Sequence, residues 1–201
     1  MQGRVFAASL LIVLVAAGGA LAQQKGVRVS GTVESFDGHV LAIKSSALGE
    51  VKIELPEDVK VFGVSKATLA DVKPGAFIGV GGLPQADGIQ RAIQVTVFAE
   101  SQRGLGEGFR PWSQRPHGTM TNATVAETVK SIQGERLTVK YRGGEKTILV
   151  PPGTIILAYS VGDKRELKPG AHVAIVRAQK QADGSLRASR VNVGRGGVEP
   201  K

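Results

Sequence analysis

The richest stretch of chemistry-bearing side chains in this chain lies at residues 99–120, AESQRGLGEGFRPWSQRPHGTM. Within it Arg110, Trp112, Arg115 and His117 place two guanidiniums, the chain's only indole and one of its three imidazoles within eight positions. Exposed together, they would bind an anionic or aromatic ligand through charge and the cation-binding face of the indole. The same residues also suit a strap whose Trp112 fills a gap between two lobes while the arginines reach into water. Both readings leave this segment as something other than a flexible linker, which would be rich in Gly and Ser and free of large aromatics.

Other chemistry finds little support. The three histidines, His39, His117 and His172, stand at no helical or hairpin spacing from one another, so no metal site is expected. With no cysteine there is no disulfide, thiol nucleophile or thiolate metal ligand. ELPED at residues 54–58 lacks the alternating ligands and sharp-turn glycine of a calcium loop. GLGEG at 104–108 lacks the Lys-Ser/Thr ending of a phosphate loop. No nucleophile motif and no recognisable carboxylate pair is present. The remaining aromatics, among them Phe36, Phe62, Phe98 and Tyr159, are too scattered to form the stacking platform that single-strand binding needs. The expectation is a protein with no catalytic residues, no cofactor and no nucleic-acid partner.

The elements that must position the 99–120 segment are two copies of one unit. KPGA at 73–76 followed by QADG at 85–88 recurs as KPGA at 168–171 and QADG at 181–184. A shift of 96 also sets Val29 on Val125, Thr32 on Thr128, Val33 on Val129, Gly38 on Gly134, Leu41 on Leu137 and Pro56 on Pro152. In all, 20 pairs are identical over about 72 positions, against about 5 expected from ordinary residue frequencies, which marks an internal duplication.

Each unit reads as strands. VKIEL at 51–55 alternates strictly, AIQVTVF at 92–98 puts Ile93, Val95 and Val97 on one face, and LTVKY at 137–141 repeats the pattern. Turn signals at DG, QG, GG and ADG separate them. At 65–72 and 161–167 the period of two lapses, and Ser65 is a candidate N-cap for one helical turn carrying Leu69 and Val72 inward. Pro74-Gly75 and Pro169-Gly170 suit type II turns, and Asp87-Gly88 and Asp183-Gly184 suit hairpins. Strands, a short helical insertion and two further strands predict an all-β fold of two tandem OB-like Greek-key barrels, with a sandwich as the alternative. The expected division is a signal peptide over 1–22, a first barrel over 23–98, the connecting segment 99–120, a second barrel over 121–194 and a tail over 195–201. Units this small should pack on each other as two lobes.

Arg4, the apolar residues 5–17 and the spacing of Ala20 and Ala22 describe a secretory signal cleaved after about Ala22, which predicts a periplasmic protein not embedded in the membrane. The formal charge of +9 is uneven. Residues 27–98 carry seven Lys/Arg against eight Asp/Glu, whereas 121–193 carry twelve against six. A basic second half invites association with acidic envelope polymers.

The opening word G-x-V-x-S-x-D-G at 31–38, the central L-x-x-V/L-K-P-G-A and the closing Q-A-D-G-x-x-R-A-x-x-V-x-V resemble an exported bacterial family of small β-barrel modules, domain of unknown function 5666. The second unit opens with Glu127 where the first has Gly31. The resemblance implies OB-like modules and periplasmic residence, and it supplies no catalytic residues. Some relatives bear the label of a metal transporter permease, from which this chain departs by having no spanning helices after its signal. The expected function is a non-enzymatic periplasmic binding or adaptor protein for an unidentified envelope protein or ligand. An accessory part in metal or solute transport is the alternative.

Overall fold

The computed structural model describes residues 26–131 and 134–200, so the expected signal segment lies outside the described residues. The fold is all-β and contains a closed five-stranded barrel. Among the described residues the helical segments are three-residue 3-10 turns.

Three strands of the first repeat form a meander: β1 (Val27–Phe36), β2 (Val40–Ser45) and β3 (Gly49–Glu54). They do not close with the last strands of their own repeat. β1 pairs antiparallel with β12 (His172–Lys180), and β3 pairs parallel with β13 (Leu186–Arg187), which pairs with β12. The second ring is the reciprocal. β8 (Thr119–Ser131), β9 (Gly134–Tyr141) and β10 (Gly144–Val150) close on β5 (Phe77–Pro84) and β6 (Gln90–Val97) of the first repeat.

The buried side chains follow the same exchange. One apolar cluster joins Val29, Leu41 and Ile53 to Ile175 and Val191. The other joins Ile78 and Val95 to Val125, Leu137 and Ile148. Each fully buried Leu or Ile contributes roughly 1.5–3 kcal/mol of transfer free energy, so neither repeat owns the core that its own strands complete. The divisions 23–98 and 121–194 therefore mark sequence repeats, whereas the closed units are built from halves of both.

The crossing is made by β4 (Lys60–Lys66) and β11 (Ile155–Val161), which pair antiparallel with each other. β4 also runs parallel to β14 (Arg190–Gly194), and β11 runs parallel to β6. The result is a four-stranded bridge in the order β14-β4-β11-β6. One face of it feeds Val61 and Val191 into the first core and Val95 into the second.

After each crossing strand the chain makes the anticipated helical turn, at Leu69–Asp71 and Lys164–Glu166. Ser65 does not cap it, because Ser65 still belongs to β4. Thr68 holds that position, with its N–H and hydroxyl both donating to Asp71 Oδ2 at 2.8 and 2.9 Å. Val72 and Leu167 then plug opposite cores. Gly75 and Gly170 take φ of 85° and 86°, and the N–H of Ala76 and Ala171 close their turns on Lys73 and Lys168. These are the type II turns that Pro-Gly specifies.

The strand register corrects the alignment at the start of the repeats. Val33 faces Ile43 on β2, and its structural counterpart facing Val139 on β9 is Val125, not Val129. Strands repeat every two residues, so a slip of four leaves every side chain on its original face, and the pattern cannot detect it. Thr32 and Val33 thus correspond to Thr124 and Val125.

The connecting segment is also more ordered than its composition suggests. Residues 108–111 form β7 (Gly108–Pro111), paired antiparallel with the start of β8. β8 later exchanges that neighbour for β9.

Candidate functional site

Strand pairing fixes which side chains share the bridge's other face. Arg190 lies beside Lys60, Asn192 beside Phe62, and Phe62 beside Val161. Tyr159 stands two residues from Val161 on that same face, and Gln94 and Thr96 complete it from β6. Lys60, Gln94, Thr96, Tyr159, Arg190 and Asn192 of this face form the floor of a cleft of about 990 Å³ between the two rings.

The two walls differ in chemistry. On one side β1 and β12 contribute Arg28, Val176 and Arg177. On the other, β5 presents Gly79 and Gly81. These glycines leave room for aromatics: a Cβ on Gly81 would stand 2.7 Å from the Trp112 ring, and one on Gly79 would stand 2.9 Å from that of Phe98. Phe98 meets Tyr159 edge to face with centroids 5.8 Å apart. The connecting segment roofs the cleft with Gln102, Leu105, Arg110 and Gln114.

Six cations line this space, Arg28, Lys60, Arg110, Arg177, Arg187 and Arg190, against the single carboxylate of Asp58. Among the described residues the ion pairs are Arg103–Glu100, Lys140–Glu145, Arg165–Asp163 and Arg195–Glu166, so none of the six cleft cations is neutralised by one. Burial lowers the pKa of Arg190, Arg28 and Arg110. Arg28 is exposed by surface area, but it stands in a concave wall whose mass displaces solvent around the guanidinium. Burial raises the Tyr159 pKa, and the nearby charges of Arg28 and Arg190 oppose that rise.

Polar groups hold some of these side chains in place. Gln114, turned with its oxygen inward, accepts from both terminal nitrogens of Arg28 at 3.2 Å. The Arg190 guanidinium lies 5.3 Å from the Phe62 ring centre. Asn192 Nδ2 donates to Tyr159 Oη at 3.5 Å. Four buried atoms of cleft residues have no hydrogen-bond partner in the protein: the donors Gln102 Nε2 and Trp112 Nε1 and the acceptors Asn122 Oδ1 and Asn192 Oδ1.

The 99–120 residues singled out by sequence divide between two places. Arg110 and Trp112 line the cleft, Arg110 with one terminal nitrogen donating to Gly106 O at 2.5 Å. Arg115 and His117 are exposed in the turn beyond and take no part in the lining. Trp112 is both strap and lining, since it packs on Gly81 while facing the cleft. Arg28, Tyr159, Arg190 and Asn192 were not anticipated. Arg28 and Asn192 stand at outward positions between core valines, Arg28 between Val27 and Val29 and Asn192 between Val191 and Val193, but which outward faces converge depends on the exchange.

A second groove, of about 750 Å³, lies around the Lys164–Glu166 turn. Both of its arginines are already matched there: Arg195 donates to both Glu166 oxygens at 2.7 and 2.8 Å, and Arg165 to both Asp163 oxygens at 2.9 and 3.2 Å. His172 Nδ1 stands 3.5 Å from Thr32 Oγ1, and the N–H of His39 donates to Asp37 at 2.8 Å. Among the described residues, no three His, Cys, Asp or Glu side chains form a metal-sized group, and no helix is long and apolar enough to cross a membrane.

Comparison with family models, with curated proteins and with solved structures finds no match to the chain.

Proposed function

We propose that this chain is a non-enzymatic binding protein of the bacterial envelope whose cleft between the two rings takes an anionic ligand. The observation that carries this reading is the set of cations, Arg28 and Arg190 foremost, held in a partly desolvated cleft without a carboxylate partner. Removing a charge from water is unfavourable unless a counter-charge compensates it. A guanidinium fork is well shaped for carboxylate or phosphate. Guanidiniums keep their protons throughout the physiological range, so they provide counter-charge rather than general acid–base catalysis.

The strand order supports a finer reading of the fold. Each ring runs first, second, third, fifth, fourth and back to the first, with the first and fourth strands antiparallel and the third and fifth parallel. We read them as two OB-like barrels related by exchange of their last two strands. Export rests on the sequence of residues 1–22. Placement in the envelope would make soluble or polymeric anions of that compartment the available ligands.

The test is calorimetry of the mature chain against a panel of small and polymeric anions, with Arg28→Gln/Arg190→Gln beside the wild type. Binding by the wild type, weakened at least tenfold in the double variant and diminished by salt, is the expected result. Equal binding by both proteins would remove the cleft from consideration.

A further inference from the structure

Resting on that reading, we propose that the ligand is an acidic oligosaccharide carrying carboxylates, laid across the cleft from the cationic wall to the floor. Arg28, Arg177, Arg190 and Lys60 stand on β1, β12, β14 and β4, four strands adjacent in that order. Neighbouring strands are about 4.8 Å apart, so the row spans roughly 14 Å. It suits charges repeated along an extended chain better than one compact anion.

The groups between the cations narrow the class. Gln94, Gln102, Gln114, Gln179, Asn122 and Asn192 line the same space. Among the unpartnered buried atoms here, two donate (Gln102 Nε2, Trp112 Nε1) and two accept (Asn122 Oδ1, Asn192 Oδ1). A sugar hydroxyl both donates and accepts, so a polyhydroxylated ligand serves both kinds. A fully ionised phosphate chain only accepts and leaves the two asparagine oxygens unserved. Phosphate sites also favour helix N-termini or nests of backbone N–H groups, and this lining is made of strand side chains. An acidic peptide would look for a free strand edge. The floor offers none, because β4, β11 and β14 each have paired neighbours on both sides. Trp112 and Phe98 add apolar surface against which the C–H faces of a sugar ring can rest.

Trp112, the only tryptophan, makes the cleft its own reporter. Its fluorescence would be followed at low salt, with calorimetry in parallel, as the full mature chain is titrated with three probes: a trimer of galacturonic acid, its fully methyl-esterified form and tripolyphosphate. The acidic trimer is expected to bind at least tenfold more tightly than either alternative. Arg28→Gln/Arg190→Gln, shown to be folded by its circular dichroism and melting, is expected to lose at least tenfold. Tightest binding of tripolyphosphate would overturn the sugar assignment and leave the anion cleft standing. Equal binding of the acidic and esterified trimers, or neither heat nor fluorescence change with any probe, would overturn the assignment and the anion-binding reading together.

Discussion

The two rings share turns and core positions, but they differ where they face each other. On β5 the outward positions are Gly79 and Gly81, which accept the rings of Phe98 and Trp112. At the matching positions on β12 stand Ala174 and Val176, with Arg177 following and Arg28 beside it on β1. Val176 is 48% exposed, a branched apolar side chain open to the cleft. The KPGA turns, by contrast, are superimposable in sequence and in φ. The two rings therefore agree in the residues that turn the chain between strands and differ in those that line the space between them. One wall became a bed for aromatics and the other a bank of cations.

The largest effect expected from breaking this relationship follows from the exchange itself. Residues 26–98 alone hold β1–β3 of one ring and β5–β6 of the other, so as a monomer they complete neither core. Expressed separately, 26–98 and 99–200 should each lack the cooperative unfolding of a closed domain. Mixed, they should recover it as a one-to-one complex, read by circular dichroism and by sedimentation. A stable monomer of 26–98 with dispersed amide resonances would show that β1–β3 can close on β5–β6 of their own repeat, and would overturn the exchange.

The sequence carried the parts of this molecule without their partnerships. Alternation at VKIEL and AIQVTVF revealed strands, and KPGA revealed two turns, because both signals are local. Whether Leu41 packs with Ile78 or with Ile175 is not local. An element exchanged between equivalent units makes nearly the same contacts as one that is not. The register slip at Val33 and Val125 escaped for a related reason, since period two is blind to shifts by an even number. β7 was hidden by Gly108 and Pro111, which usually mark a loop, until pairing with β8 made it a strand. The site is legible only after these partnerships are known. Arg28 comes from one repeat and Arg190 from the other, and in the linear sequence nothing joins them.

A middle-sized effect sharpens the contrast between the walls. Gly81→Val would give β5 the side chain that β12 has at Val176, with a Cβ inside contact distance of the Trp112 ring. Overpacking of this kind costs roughly 1–3 kcal/mol, and it should displace the indole, shifting its emission to longer wavelength. The reverse change, Val176→Gly, removes an exposed side chain and should cost only about 0.5–1 kcal/mol through the backbone. Chemical denaturation of both variants checks the inequality. Equal losses would mean that Gly81 is not required for the close approach of Trp112.

The smallest effect separates the two helical turns. Asp71 serves only its own turn through Thr68, whereas Glu166 reaches across the fold to Arg195, whose Nη1 also donates to Ser160 Oγ at 2.7 Å. The hydrogen bonds from Arg195 hold the Glu166 carboxyl below the ordinary carboxylate pKa. A depressed folded value means that the stabilisation is complete above the unfolded pKa of about 4.3 and disappears as pH falls through the folded value. The side chains of Arg195 and Glu166 are 39% and 27% exposed, so solvent screens the pair, and about 1 kcal/mol is a reasonable ceiling. Glu166→Gln should therefore melt earlier than the wild type at pH 7, and the gap should narrow as the pH falls through the folded value. In a double-mutant cycle with Arg195→Gln the pair should be coupled by no more than that ceiling, and Arg195→Gln should cost something further through its lost bond to Ser160. Asp71→Asn should give a smaller change at pH 7, because among the described residues the hydrogen bonds to that carboxylate all come from Thr68 of its own turn. A gap between Glu166→Gln and wild type that does not narrow with falling pH would assign the loss to altered packing rather than to the ion pair.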